Sequence, residues 1–151
     1  MTDKTELPGE LLYEYTPKIT RVVEYGASIQ GLTSGEAPPP AEGARVDIHF
    51  AGPVTGPKLL GAVEGVNYQY FRADGRIELN IRGEITTEDG KRIALSATGV
   101  AFGKPPVMQL RQNVTLLTSH PEFTWVNTLQ IWAVGTVDLV ERQIQVRGYA
   151  A

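Results

Sequence analysis

Apolar and polar residues alternate along most of this chain with a period of two. In the stretch RIELNIRGEITTEDG, residues 76–90, Glu78, Asn80, Arg82 and Glu84 fall on one side of an extended backbone, and the apolar residues between them fall on the other. This period is the side-chain repeat of a β-strand, whereas a helix repeats every 3.6 residues. The alternation therefore predicts an all-β fold.

Nine segments share the pattern and are rich in Val, Ile, Thr and aromatic residues. Asp-Gly steps at 73–75 and 88–90 mark hairpin-type turns, and we find no long helix. Evenly spaced strands with short turns predict a single antiparallel up-and-down β-barrel of about 8–10 strands, because closure removes exposed edges. The segments are LLYEYTPKITRVVEYG, ARVDIHFAG, KLLGAVEG, NYQYFR, RIELNIRGEITT, KRIALSATG, QLRQNVTLL, FTWVNTLQIWAVG and VDLVERQIQVRGY.

Composition excludes several classes of protein. The 151 residues are typical of one domain, and a net charge of -3 with no basic cluster argues against nucleic-acid binding. The absence of cysteine excludes disulfides, thiolate nucleophiles and Cys-ligated metal. The start lacks a leader pattern and no apolar run is long enough for a membrane span, so we expect a cytoplasmic protein. No metal-ligand spacing and no cofactor-binding motif is present.

One connection breaks the strand pattern. The segment TSGEAPPPAEG, Thr33 to Gly43, is rich in Pro and Gly and has no apolar periodicity. Such a segment is either a flexible loop or a lid over the mouth of the barrel. The rest of the chain, 1–151, is expected to form one domain.

Three stretches resemble, in order and spacing, the family called domain of unknown function 3237 or uncharacterised protein family 0311. They are GARVDIHFAGPVTGPKLLGAVEGVNY, LNIRGEITTEDGKRI and FTWVNTLQIWAVG, and the resemblance spans about Leu11 to Tyr149. It implies a calycin-like β-barrel with a ligand-sized interior. It also implies cofactor-free chemistry on small organic molecules for those members that act in pathways.

The resemblance is informative where it fails. Two Asp positions of the family pattern are occupied by Asn67 and Asn80, Arg82 is kept, and a Tyr position is occupied by Gly83. The family pattern implies that Asn80, Arg82 and Glu84 line the lumen. Alternation alone favours a solvated face with Leu79, Ile81 and Ile85 in the core, and only the resemblance reverses this preference. A lumenal Arg82 would need Glu84, Asp47 or an anionic or carbonyl group of a ligand as its partner.

Further candidates come from other strands. His49 suits proton transfer near neutral pH, and Asp47 on the same strand face could orient its ring. The alternative places both on the outer face, with Val46, Ile48 and Phe50 in the core. The candidate ligand contacts are Tyr13, Tyr15, Asn67, Asn80, Trp125 and Asn127, of which the aromatic residues could equally pack in the core. His120 precedes a proline in a turn and is expected at the surface.

Three functions remain open. The first is a cofactor-independent isomerase, cyclase or lyase acting on an apolar, aromatic or polyketide-like molecule in the lumen. Arg82 would polarise a carbonyl or hold an anion, and His49 or Glu84 would move a proton. The second is a carrier that binds such a molecule without chemistry, and the third is an interaction protein whose barrel is filled by side chains. A homo-oligomer is expected if QIQVRGY extends a sheet edge.

Overall fold

The computed structural model describes residues 9–150, which form nine strands and two short helices. Alternating sequences form the strands, and the Asp-Gly steps form two of the turns, as expected. The elements are β1 Glu10–Tyr15, β2 Lys18–Glu24, α1 Ile29–Ser34, β3 Ala44–Pro57, β4 Leu60–Phe71, β5 Ile77–Thr87, β6 Arg92–Lys104, β7 Val107–Leu117, a 3₁₀ helix Pro121–Thr128, β8 Ile131–Asp138 and β9 Gln143–Ala150.

The strands close into one antiparallel barrel. From β3 to β9 each strand pairs with the next along the chain, and β1 and β2 close the barrel because each pairs with both β3 and β9. Residues 16–17 separate β1 from β2, and these two short strands together occupy one strand position of the barrel, between β3 and β9. Nine strands therefore fill eight positions. This confirms the predicted up-and-down barrel.

The inner face carries the aliphatic rows. Leu79, Ile81 and Ile85 of β5 are at most 5% exposed, while Asn80 and Arg82 face solvent. The lumenal orientation implied by the resemblance is therefore wrong for Asn80, Arg82 and the half-buried Glu84. The physical reason is that the interior is packed with apolar side chains and offers no partner for a guanidinium.

The barrel interior is nearly filled. The interior pocket that Tyr15, Phe50 and Gln112 help to line has a free volume of about 40 Å³, which is too small for a metabolite. Gly65 and Gly83 face each other across β4 and β5, and a Cβ on Gly65 would lie 3.0 Å from the Phe50 ring. The ring of Phe50 thus takes space that a side chain at position 65 would otherwise fill, and the interior pocket among the described residues is smaller than the ligand-sized interior that we expected.

Short helices cover both ends. Leu32 of α1 is buried in the core and Ile29 packs against it at one end, and Val126 of the 3₁₀ helix is buried at the other. The 3₁₀ helix corrects our prediction of a strand across FTWVN. Neither helix, within residues 9–150, is long and apolar enough to cross a membrane.

The connection from β2 to β3 folds back onto β4. Thr33 and Ser34 end α1, and the Tyr70 hydroxyl donates to the Glu42 carbonyl at 2.7 Å. Gly43, next to that bond, has φ of +83°, and a Cβ there would lie 2.2 Å from the Tyr70 hydroxyl. The positive φ and the close contact explain why position 43 is a glycine. The flexible-loop and lid interpretations of Thr33 to Gly43 stay predictions.

The last strand has no free edge to extend. Strand β9 pairs with β8 on one side, and with β1 and Lys18 of β2 on the other. The edge extension by QIQVRGY is therefore wrong, because barrel closure uses both sides of that strand. The homo-oligomer stays a prediction, but the extension of β9 no longer supports it.

Candidate functional site

A groove of about 680 Å³ crosses the outer surface of the barrel from β4 to β8. Its volume lies in the range of small-molecule sites, about 300–1,000 Å³. Because its walls come from five adjacent strands, their side-chain positions are fixed by the ladder register. The lining residues are Tyr68, Tyr70, Arg76, Glu78, Leu79, Asn80, Thr98, Gly99, Val100, Arg111, Gln112, Asn113, Trp132, Ala133 and Val134.

One wall is a row of outward side chains that starts at Tyr68 and ends at Trp132. The register places Asn80 opposite Thr98, Thr98 opposite Asn113, and Asn113 opposite Trp132. Tyr68 of β4 lies beside Asn80, between the paired positions 67/81 and 70/78. This wall offers two amides and a hydroxyl between two aromatic rings.

The other wall is the next outward row. It runs from Tyr70 through Glu78, Val100 and Arg111 to Val134. Residues two apart on a strand are separated by about 7 Å, so the two rows leave a channel whose width admits a flat ring. The wall carries one carboxylate and one guanidinium.

The floor is the main chain of the intervening row. The side chains of Leu79, Gln112 and Ala133 in this row point into the barrel, and Gly99 has none. A Cβ on Gly99 would lie 1.9 Å from the Arg111 carbonyl oxygen, so only glycine fits this approach of β6 and β7.

Arg111 is the distinctive group of the groove. It is half-buried, its Cζ lies 5.1 Å from the centre of the Phe102 ring, and its Nη1 donates to the Leu110 carbonyl at 2.9 Å. Among residues 9–150 it forms no ion pair with a carboxylate. A guanidinium has five N–H donors, so Arg111 retains donors for an anion in the groove.

The carboxylate of Glu78 already forms ion pairs with two arginines. Its Oε2 lies 3.2 Å from Arg76 Nε and 3.6 Å from Arg72 Nη1. On the second wall Glu78 and Arg111 lie on either side of Val100, two strands apart, which corresponds to about 10 Å between backbones. The groove therefore has a neutralised acidic end and a cationic centre.

Tyr68 is fixed from outside the groove. Arg45 lies between two rings, with its Cζ 5.3 Å from the Tyr68 ring centre and 5.0 Å from that of Tyr25. Arg45 also donates to Asp47 Oδ1 at 2.8 Å, and the Tyr25 hydroxyl donates to Asp47 Oδ2 at 2.6 Å. These contacts hold one aromatic end of the groove in place.

Asp47 accepts hydrogen bonds from Arg45 and Tyr25, and it makes no hydrogen bond to His49 in the described structure. Burial raises the pKa of its carboxyl, but the hydrogen bonds from Arg45 and Tyr25 outweigh burial and keep the pKa below its usual value. Asp47 and His49 lie on the outer face of β3, while Val46, Ile48 and Phe50 are in the core. The alternative that we left open for this strand is confirmed, and the proposed Asp47 to His49 pairing is not formed.

Three of the predicted ligand-contact residues lie in the barrel interior. Tyr13 and Tyr15 are buried and stacked with ring centres 5.5 Å apart, and burial raises the pKa of both phenols well above the usual value. Asn67 is also interior; its Nδ2 donates to Gln69 Oε1 at 2.9 Å and its Oδ1 accepts from the Asn80 backbone N–H at 3.1 Å. With no room for a metabolite, these residues are core groups here.

The other predicted residues lie apart from the groove. Glu84 pairs with Arg92 at 3.3 Å, and Trp125 is exposed on the 3₁₀ helix. Asn127 accepts from the Thr118 N–H at 2.9 Å and donates to the Thr118 carbonyl at 2.8 Å. These contacts close the connection after β7, so Asn127 is structural, and of the ten predicted site residues only Asn80 lines the groove.

Sequence reasoning missed Arg111, Asn113 and Trp132. Their signal was weak, because Gln112 lies between Arg111 and Asn113 and interrupts the apolar alternation of QLRQNVTLL, and no local motif marks them as neighbours of Asn80. Only the strand register across β5 to β8 brings them together. In the part of the chain that the structure describes, no cluster of three or more His, Asp or Glu side chains could hold a metal.

Known proteins provide a family and a fold for comparison. The sequence pattern of the family described as "Protein of unknown function (DUF3237)" matches residues 17–151. No curated protein sequence matches the chain.

Solved structures share the barrel at low identity. A protein with unknown function from Clostridium acetobutylicum is 21% identical over 93% of this chain and 96% of its own, with a TM-score of 0.75. A beta-barrel like protein from Acinetobacter baumannii is 20% identical over 99% of both chains, with a TM-score of 0.74. A structure described as an enzyme from Penicillium herquei is 20% identical over 98% of this chain and 99% of its own, with a TM-score of 0.58. At these identities the likeness shows the fold alone.

Proposed function

This chain belongs to the DUF3237 family of proteins of unknown function, as its motifs predicted, and we propose that it binds a small aromatic or conjugated anion in the outer groove. The proposal moves the ligand from the lumen to the outer surface of the barrel. The main support is Arg111, a half-buried guanidinium that has no carboxylate partner among the described residues and lines a groove of about 680 Å³.

Charge selects the class of ligand. Removing a guanidinium from water costs free energy unless an anion or several acceptors compensate it. A carboxylate, phenolate or enolate oxygen in the groove would accept its free N–H donors, in one or two charge-assisted hydrogen bonds. Glu78 does not compete for Arg111, because Arg76 and Arg72 already neutralise it.

The shape of the groove favours a ligand with an aromatic ring. Tyr68 and Trp132 close the first wall at its two ends, and the main-chain floor at Gly99 carries no side chain. A flat ring between two rows of side chains buries both faces, while Asn80, Asn113 and Thr98 offer hydrogen bonds to its oxygens. Aromatic or polyketide-like acids and phenols combine these features.

A cofactor-free conversion of the bound molecule is the second candidate. Arg111 would stabilise negative charge that develops on a carbonyl or enol oxygen, and the Glu78 carboxylate in the same wall would take or return a proton. An isomerase, cyclase or lyase of this kind needs only these groups. A carrier without chemistry would use the same groove and the same Arg111.

Calorimetric titration with 2-naphthoate and its neutral analogue 2-naphthamide tests the binding proposal. We expect the wild type to prefer the carboxylate, and Arg111→Gln to lose that preference by about 10- to 100-fold in affinity, the value of a charge-assisted bond. Arg82→Gln is the matched control, since Arg82 is an exposed cation on the same outer face but outside the groove. Equal binding of acid and amide, or equal losses in both variants, would contradict the proposal.

Turnover is tested on the compounds that bind. Incubation of wild type and Glu78→Gln with bound polyketide-like acids, followed by mass spectrometry and NMR, distinguishes an enzyme from a carrier. Product from wild type with slowed formation by Glu78→Gln supports proton transfer by Glu78. Tight binding without product supports a carrier.

A further inference from the structure

A second, separate pocket lies inside the barrel, beneath the floor of the groove. Its free volume is about 40 Å³, and its lining is apolar except for Tyr15 and three amides, Asn67, Gln69 and Gln112. Gln112 contributes main chain to the groove floor and a side chain to this pocket. Every side chain around the pocket is uncharged or, for Tyr15, a phenol that burial keeps protonated.

Gln112 is an unsatisfied acceptor. Its side chain is 4% exposed, and within residues 9–150 its Oε1 has no hydrogen-bond partner. Buried amide oxygens in native proteins are almost always hydrogen-bonded to protein or to ordered water. Something absent from the chain itself is therefore expected to donate to Gln112.

The neighbouring amides do not fill this role. Asn67 donates to Gln69 Oε1, and its own oxygen accepts from the backbone N–H of Asn80. The two amides on β4 are thus engaged with each other and with the sheet, while Gln112 lines the pocket from β7 and its buried oxygen has no partner among the described residues.

The lining restricts the occupant. An ion is excluded because no opposite charge lines the pocket and burial of an unpaired charge is strongly unfavourable. About 10–15 Å³ of such volume accommodates the centre of one water, so the pocket has room for about three or four waters and for no metabolite.

We propose that the barrel interior contains a hydration site at Gln112, Asn67 and Gln69, which takes a small neutral hydrogen-bond donor and is occupied by water. Water can donate to Gln112 Oε1 and still accept from an amide nitrogen, which satisfies both kinds of group. The site is independent of any ligand in the outer groove.

NMR on the full-length protein tests this site directly. With ¹⁵N labelling and selective inversion of the water signal, we expect cross-peaks from water to the Gln112 side-chain amide protons. Opposite signs in the NOE and ROE spectra identify direct contact with a long-lived water. No such contact at Gln112 would overturn the proposal.

A variant provides the second measurement. Gln112→Met keeps the length of the side chain but removes the acceptor, and Gln109→Met on the outer face of the same strand is the control. If the oxygen is hydrated, Gln112→Met leaves the melting temperature unchanged or lowers it. A higher melting temperature in Gln112→Met alone would show that the oxygen is dry and would overturn the proposal, whereas the wild-type spectra decide the matter if the variant does not fold.

Discussion

The guanidinium of Arg111 on β7 lies over the ring of Phe102 on β6, with 5.1 Å between the Cζ atom and the ring centre. The ring and the bond from Nη1 to the Leu110 carbonyl hold a cation in the groove before any ligand arrives. An anchor that is already positioned loses less side-chain entropy on binding than a free surface arginine does. The contact between these two residues therefore makes Arg111 a better candidate anchor than the exposed Arg82.

Phe102→Leu is expected to weaken binding of 2-naphthoate about 2- to 5-fold. A cation–π contact at an exposed site contributes about 0.5–1 kcal/mol, and its loss lets the guanidinium sample other orientations. Calorimetry measures the affinity, and Leu117→Ala, an exposed apolar residue on β7 outside the groove, is the control. Unchanged affinity in Phe102→Leu would show that the ring does not position Arg111.

Asp47→Asn is expected to lower the stability of the barrel at pH 7. The pKa of the Asp47 carboxyl is lower in the folded protein than the ordinary value of about 3.9, so its stabilising contribution is present above that value. It is lost as the pH falls from about 3.9 through the lower folded pKa. The difference in stability between wild type and Asp47→Asn in urea unfolding should therefore be smaller at pH 3 than at pH 7, while Glu64→Gln, exposed on β4, should follow wild type throughout. A difference that is the same at both pH values would contradict the assignment.

Alternation predicted the strands and the barrel because it reports local backbone geometry directly. On β5 alternation alone favoured the inward face with Leu79, Ile81 and Ile85, as the structure has it, but on β3 it did not decide between the two faces. On β3 the reading with Ile48 and Phe50 inside was left open, and on β5 the resemblance favoured the wrong side, with Arg82 inside. The volume of the barrel interior determines which face of β3 and of β5 points inward, and this volume depends on all eight strand positions together.

The groove could not be predicted because it depends on register between distant segments. Asn80 and Trp132 are 52 positions apart in the sequence, and they share a wall only through the ladders that join β5 to β8. The 3₁₀ helix was missed for a local reason: Pro121 begins it, and Asn127 closes its end on Thr118 in place of a strand partner. Apolar residues alone do not distinguish such a turn from a short strand.

Gly99→Ala is expected to destabilise the protein by about 1–3 kcal/mol, the usual cost of overpacking. The added Cβ would lie 1.9 Å from the Arg111 carbonyl oxygen and 3.0 Å from the Gln112 Cα, and neither backbone atom can move without separating β6 from β7. Because the same backbone is the groove floor, 2-naphthoate affinity should fall as well. Thr98→Ala, next along the strand but exposed, is the control, and urea unfolding is the measurement. Equal stability of Gly99→Ala and Thr98→Ala would contradict the close approach.

Tyr70→Phe tests whether the connection between β2 and β3 depends on the groove wall. The Tyr70 hydroxyl donates to the Glu42 carbonyl at 2.7 Å, and a hydrogen bond of this kind contributes about 0.5–1.5 kcal/mol. Its loss should increase local opening, so hydrogen exchange at residues 36–43 should become about 2- to 10-fold faster while exchange in β6 and β7 stays as in wild type. Tyr25→Phe is the matched control, because it removes a hydroxyl bonded to Asp47 at the other end of the connection. If 2-naphthoate slows exchange at 36–43 in wild type but not in Tyr70→Phe, the segment is a lid that the groove controls through Tyr70. If exchange there is the same with and without the ligand, the connection only closes the end of the barrel.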